Sequence, residues 1–345
     1  MNTMSSVIVA MALLATGAAA ASSSGCGDTM DMVDNWRVVQ PVGTTRTVYR
    51  TSFSTGSCNT ASSPSTTSPG PAMTTTKYKS DSTDASHWTY ADQDNWNLYG
   101  KNNECGAANA AGTYPGESPI NIDPTTATAT TTNPTITLEG TEKTRTGMPI
   151  FNNGHTIGYS LCPNKLDCDL QANFGTWPKS LRGITDTHPG DDYFALQMHF
   201  HWGSDATKGS EHTVCGIARA AELHVVWVNQ RNITSTRTDP ESGLLLAVTG
   251  IMIEGGATED NAAFASLIDS VASKAPNPGN AGGGVSVNLK ALLPYEWGSK
   301  FYTYPGSLTT PPCSQVVSWF VFENMVQISD AQLAKLRATQ MPAVH

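Results

Sequence analysis

The sequence predicts a mainly β protein with one domain as its body. Two observations carry this. Short strand-like runs recur at close spacing, as 134–140 (PTITLEG), 155–161 (HTIGYSL), 193–203 (YFALQMHFHWG), 222–228 (ELHVVWV), 244–254 (LLLAVTGIMIE) and 316–325 (VVSWFVFENM). Helical periodicity, by contrast, is found at only two places. Residues 258–274 put Phe264, Leu267, Ile268 and Val271 on one face, and Ser329-Asp-Ala-Gln332 reads as a capping box opening a second helix. At 345 residues a length prior would allow about two domains, but large β domains exceed that prior.

From the N-terminus, residues 1–21 read as a secretory signal peptide, with an apolar run from Val7 to Leu14 and small residues suited to cleavage near Ala20 or Ala21. The run has no Lys or Arg before it and is too short to span a bilayer, and no later segment is a transmembrane candidate. Residues 22–53 contain structure-forming text, MVDNWRVVQPV and then the strand-like TVYRTSF. Residues 54–86 are rich in Ser, Thr and Pro. Such a composition buries too little apolar surface to offset ordering entropy, so this stretch reads as a surface linker. Residues 87–345 form the main body.

Charged residues make up 14% of the chain and the net charge is -9, so there is no basic stripe of the kind that nucleic acid or an anionic membrane requires. A small molecule is the expected substrate. The export signal permits disulfides among seven cysteines. Cys162 and Cys168 share one short loop and suit a local bridge. Cys26 with Cys58 forms another candidate pair that leaves Cys215 unpaired, while the alternatives have Cys215 partner one of these or link two chains. Asn232-Ile-Thr234 is a glycosylation sequon.

The centre of the chain is 196–228. Period-two alternation places Gln197, His199 and His201 on one strand face, and Glu222, His224 and Val226 on one face of a second strand. If the two strands pair, three imidazoles converge. Three histidines without a fourth protein ligand describe a catalytic zinc site, which keeps one position open. Gln197 and Glu222 each stand two residues before a ligand and can accept its other ring N–H.

HFHWG, SEHT and AELHVVW together resemble the zinc-site core of the alpha-class carbonic anhydrases; Gly306-Ser-Leu-Thr-Thr-Pro-Pro-Cys313 resembles their pocket loop, Phe151-Asn-Asn-Gly-His155 their proton-shuttle segment, and HWTYADQDNWNLYGKNNECG with ESPINID the opening of their domain. The resemblance runs with gaps from about His87 to the C-terminus. It implies one large twisted, mostly antiparallel sheet of about ten strands with short peripheral helices. It also implies reversible hydration of carbon dioxide to bicarbonate and a proton by zinc-activated hydroxide, with a side esterase activity. His199, His201 and His224 match the ligands, and His212 matches a structural hydrogen-bonding residue. Thr309 and Glu211 match the pair that orients the hydroxide, Thr310 a bicarbonate contact, and Val226, Val248, Leu308, Val317 and Trp319 the apolar wall for carbon dioxide. His155 matches the shuttle, Tyr90 and Asn153 residues that order its water, and Cys105 with Cys313 the bridge of exported members. Gly158 stands where many members carry a polar side chain. Inactive relatives, the alternative class of binding or matrix protein, have lost a zinc histidine, whereas this chain keeps all three.

One stretch is displaced. The family's closing piece, DNWR then QP then a strand, is matched by Asp34-Asn-Trp-Arg37, Gln40-Pro41 and 47–53, which implies a circular permutation in which the linker, roughly 33 residues with a reach on the order of 30 Å, returns the chain to the domain's opening. The carbonyl of Asn35 would then orient His201. The alternatives are a free-hanging remnant or a segment swapped into a neighbouring chain. A homodimer is left open, and the compartment is extracellular or periplasmic, with an organelle lumen also compatible.

Overall fold

The computed structural model describes residues 48–51, 58, 88–90, 93, 96–97, 104–105, 117–130, 134–162, 168–175, 193–229 and 246–339. The signal peptide, Cys26, Asn35, Asn232 and most of the linker lie outside the described residues.

The first half of the chain supplies β1 (Tyr49–Arg50), β2 (Asn121–Ile122), β3 (Thr128–Ala129), β4 (Thr137–Glu139), β5 (Arg145–Asn152), β6 (Ile157–Ser160), β7 (Gln171–Asn173) and β8 (Tyr193–Trp202). Then come β9 (Thr213–Val214), β10 (Ala221–Asn229), β11 (Leu246–Ala257), helix α1 (Ala262–Lys274) and β12 (Ala281–Val287). The last part holds α2 (Leu289–Leu292), β13 (Phe301–Gly306), β14 (Val317–Phe322), β15 (Val326–Ser329) and α3 (Asp330–Arg337). Thirteen of the described strands form one sheet, whose main path runs β12-β5-β6-β8-β10-β11-β14-β13-β1-β3. Most pairings are antiparallel, but β11 runs parallel to both β14 and β15, so the sheet is mixed.

The centre of the sheet is β8, β10 and β11, and all nine residues of β10 are buried. Both faces of these strands are therefore covered, and the alternation separates two kinds of interior instead of inside from outside. One face carries Met198, Phe200, Leu223, Val225 and Ile251, none of them exposed. Helix α1 covers that face: Phe200 meets Phe264 with ring centroids 6.2 Å apart, and the Tyr159 hydroxyl donates to the Leu267 carbonyl at 2.9 Å. Each fully buried side chain of this size contributes about 1.5–3 kcal/mol. The other face carries the histidines.

Helix α1 starts at Ala262, later than the sequence suggests, because Asn261 is its N-cap and accepts from the Ala263 N–H. Its buried face includes Phe264, Leu267, Ile268 and Val271, as the periodicity predicts. Ser329 and Gln332 form the capping box of α3. Three disulfides are present among the described residues: Cys105–Cys313, Cys162–Cys168 and Cys58–Cys215. The last corrects the pairing of Cys58 with Cys26, since the Cα atoms of Cys58 and Cys215 stand 5.3 Å apart although 157 residues separate them.

Candidate metal centre

Antiparallel pairing of β8 and β10 sets His224 opposite His199 and Glu222 opposite His201. The three imidazoles thereby meet, with ring centroids 5.0 Å (His199–His201), 5.2 Å (His199–His224) and 4.7 Å (His201–His224) apart. Their candidate ligand atoms all lie within 4.8 Å of one another. Gln197 Oε1 stands 2.9 Å from His199 Nδ1, and Glu222 Oε1 stands 2.8 Å from His224 Nε2. Those contacts leave Nε2 of His199 and Nδ1 of His224 for a metal. Burial, the largest cause, holds all three imidazoles below their ordinary pKa, and the neighbouring rings lower His199 and His201 further, while Glu222 opposes the shift at His224. Neutral imidazoles with occupied outer nitrogens are the donors that a zinc ion requires, so the residues fit that metal.

Glu211 is close to the same atoms. Its Oε2 lies 3.3 Å from His201 Nε2 and 3.7 Å from His224 Nδ1. Burial first, and the charge of Glu222 second, push its carboxyl well above the usual range. The Thr309 hydroxyl pulls it back down, yet neither Glu211 oxygen has a donor in good alignment, so this is a close approach more than a formed hydrogen bond. A dication among the imidazoles would favour the ionised carboxylate.

Behind His224 runs a buried polar chain. Glu222 Oε1 is 2.8 Å from His212 Nδ1, and its Oε2 accepts the His212 backbone N–H at 2.8 Å. His212 Nε2 is 2.6 Å from the Tyr304 hydroxyl, which is 3.0 Å from Ser118 Oγ, and the Ser307 N–H donates to that oxygen at 3.1 Å. His212, Glu222 and His224 could also be grouped as metal ligands by distance. Both ring nitrogens of His212 are already engaged, so it serves this network. Burial alone would raise the Glu222 pKa, but His212 and His224 overcome it and hold the carboxylate well below its usual range. Gly250, paired with His224, makes room for this arrangement: a Cβ there would lie 2.8 Å from Glu222 Oε1. Sequence reasoning gave no role to Ser118, Tyr304 or Ser307; Ser118 and Ser307 stand inside the ESPINID and 306–313 stretches, but no periodicity or spacing joins the three.

The apolar residues lie along one side. Val226 pairs with Val248, and Val248 with Trp319, whose ring centroid is 4.8 Å from His224 and whose Nε1–H donates to the Ser307 carbonyl at 3.0 Å. Val317 is buried two positions before Trp319 on β14, and Leu308 is half-buried against the core. Thr309 and Thr310 are half-buried in the loop between β13 and β14. The Cys105–Cys313 bridge ties that loop down, with Glu104 donating from its N–H to the Pro312 carbonyl at 2.8 Å and accepting from the Gln315 N–H at 2.8 Å.

Towards the surface, His155 is half-buried and stacked on Trp88, with centroids 3.8 Å apart and planes at 16°. Tyr90 is 6.4 Å from it, ring to ring, and is itself buried, which together with Glu211 raises its phenol pKa. Asn153 shapes the turn, since its Oδ1 accepts the N–H groups of His155 (2.9 Å) and Thr156 (2.8 Å). At Gly158, which pairs with both His199 and Phe151, the Phe151 ring fills the site, since a Cβ would lie 2.1 Å from its Cζ.

The depressed imidazole pKa values give a sign for acid stability. Below about pH 6.5 the unfolded chain takes up protons that the folded cluster refuses, so stability present above that pH is lost as pH falls. Glu211, raised in the fold, works in the opposite direction but is one group against three. The urea midpoint of zinc-free protein is therefore expected to be lower at pH 5.5 than at pH 7.5; an equal or higher midpoint would contradict the assignment.

A large mixed sheet whose central strands bring three buried imidazoles together, two of them with an outer partner, defines a candidate metal site whose donor set suits zinc. The sequence profile of the eukaryotic-type carbonic anhydrases matches residues 91–344, and the chain belongs to that family. It is 33% identical to carbonic anhydrase 6 of Homo sapiens over 224 residues, 64% of this chain and 65% of that protein. It is 29% identical to carbonic anhydrase 6 of Bos taurus over 257 residues, covering 72% of this chain and 70% of the relative. With carbonic anhydrase 15 of Mus musculus the identity is 30% over 244 residues, 67% and 68% of the two chains. The chain thus spans about two thirds of the length of these relatives.

Proposed function

We propose that this protein is a zinc enzyme that interconverts carbon dioxide and bicarbonate. The observation that carries the proposal is the convergence of His199, His201 and His224 as neutral donors. Zinc held by these three residues would supply the Lewis acidity that brings the pKa of water to about 7, the general figure for carbonic anhydrases and not one that this geometry yields. The chain's own groups do the rest. Thr309, close to Glu211, orients the attacking water through its hydroxyl. Val226, Val248, Leu308, Val317 and Trp319 receive an apolar gas that needs no charged partner. Thr310 contacts the bicarbonate product, and the His155 imidazole passes the released proton to solvent. The same site would hydrolyse activated esters as a side activity.

Three disulfides favour an oxidising compartment, in keeping with export through residues 1–21 and with glycosylation at Asn232. The placement of β1 beside β13, upstream of the matched span, favours the reading of residues 22–53 as a permuted strand segment joined by the 54–86 linker.

The test is zinc content together with hydration rate, measured in dilute and concentrated buffer for the native chain and His155→Ala. The native chain should hold one zinc and be active. The variant should keep its zinc and slow down by roughly tenfold or more in dilute buffer only, because external buffer replaces an internal shuttle. A metal-free, inactive native chain overturns the function, and equal impairment in both buffers removes His155 from the shuttle role.

A further inference from the structure

Residues 48–51 and Cys58 precede the span that the family profile matches, yet they are built into the domain at two points. At the first, β1 lies between β13 and β3, with Tyr49 opposite Thr303 and Arg50 opposite Tyr302 on one side, and with Thr128 and Ala129 on the other. The Val48 and Arg50 carbonyls accept the N–H groups of Thr128 (2.8 Å) and Thr130 (3.0 Å), and the Thr51 N–H donates to the Phe301 carbonyl at 3.4 Å. Thr51 is fully buried, while Val48 and Tyr49 pack against the main core.

At the second point, Cys58 is bridged to Cys215. Cys215 and Gly216 are the two central residues of a tight turn closed by hydrogen bonds between Val214 and Ile217, and both have positive φ, 55° and 75°. Such turns favour Asn-Gly or Gly-Gly. A cysteine in that left-handed conformation is sterically disfavoured, so its presence marks a position where the sulfur is needed.

The two anchors fall on two particular segments. Strand β13 leads through Gly306, Ser307 and Leu308 into Thr309, and the turn at Cys215 lies between Glu211 and Glu222, with β9 held beside β2. We propose that residues 48–51 and Cys58 act as an intrachain strap that positions Thr309 and Glu211 relative to each other: β1 fixes the strand that leads into the first, and the Cys58–Cys215 bridge fixes the turn that follows the second. Cys58 and Cys215 are positioning residues and touch no reacting atom. The strap itself is independent of the proposed activity, but its effect on rate rests on that reading.

Two measurements test it. A protease recognition sequence placed between residues 60 and 86 allows the chain to be cut after folding. The N-terminal fragment should stay with the body in denaturant without reductant, be released in denaturant with reductant, and co-elute with the body as a monomer under native conditions. Release in denaturant without reductant overturns the bridge, and a covalent dimer on a non-reducing gel overturns the intrachain assignment. The second measurement compares Cys58→Ser/Cys215→Ser with Cys162→Ser/Cys168→Ser, which removes a bridge elsewhere. The first variant should keep full zinc content but lose kcat/KM by about three- to tenfold, with a displaced pH profile, whereas the second keeps both at any comparable loss of Tm. Equal kcat/KM and pH profile in the two variants would overturn the positioning role. A native chain without zinc or activity would sink the catalytic reading, leaving the fragment-retention result to stand or fall by itself.

Discussion

Replacing His201 by alanine should yield a protein that no longer holds stoichiometric zinc and whose hydration rate falls by more than the roughly 10–100-fold typical of changes outside the ligand set. His201 is 4% exposed, and its ring forms a close triangle with those of His199 and His224, so no solvent-borne donor can easily take its place. Two imidazoles rarely hold a catalytic zinc once the third is gone. The substitution should also leave the fold standing, because the apolar face packed by α1 lies on the other side of β8. Metal analysis by mass spectrometry, alongside circular dichroism, is the check. A variant with one zinc per chain and near-native rate would show that the ligand had been misassigned.

Glu222→Ala is expected to be the most destabilising single change in the neighbourhood. The carboxylate satisfies three donors at once: both the ring Nδ1–H and backbone N–H of His212, and Nε2–H of His224. All three partners are buried, so alanine leaves them in a space that water reaches poorly, and the loss should be about 3–5 kcal/mol. Zinc affinity should fall as well, by roughly 10–100-fold, because His224 loses the partner that fixes its tautomer. Urea denaturation and zinc competition measure the two effects separately. A loss under about 1 kcal/mol would mean that the network is not holding the ring in place.

Much of the site was legible in the sequence because it is written in period two. His199, His201 and His224, with Gln197 and Glu222, lie on two strands whose alternation assigns them to one face, and pairing needed only to be assumed for the rings to meet. Helix α1 was legible for the same kind of reason, through Phe264, Leu267, Ile268 and Val271. Other elements were hidden. Strand β12 reads AGGGVSV, and three glycines erase the apolar pattern; what holds it is its ladder with β5. Helix α2 is a single turn capped by Asn288, too short to show a period. The parallel pairing of β11 with β14 and β15 depends on how distant segments return to the sheet, which local pattern does not encode. The Tyr304–Ser118–Ser307 contacts join residues up to 189 positions apart, and nothing near any of them announces the others.

Position 158 has its own bearing on how this chain can vary. The Phe151 ring occupies the volume that any side chain at Gly158 would claim, and the two residues sit side by side on β5 and β6 next to the strand of His199. A single substitution at 158 forces the Phe151 ring to move, and a single truncation at 151 opens a hole beside the strand of His199. The shape of the site at this edge is thus set by the two positions jointly: a larger residue at 158 requires the ring at 151 to move or to be replaced.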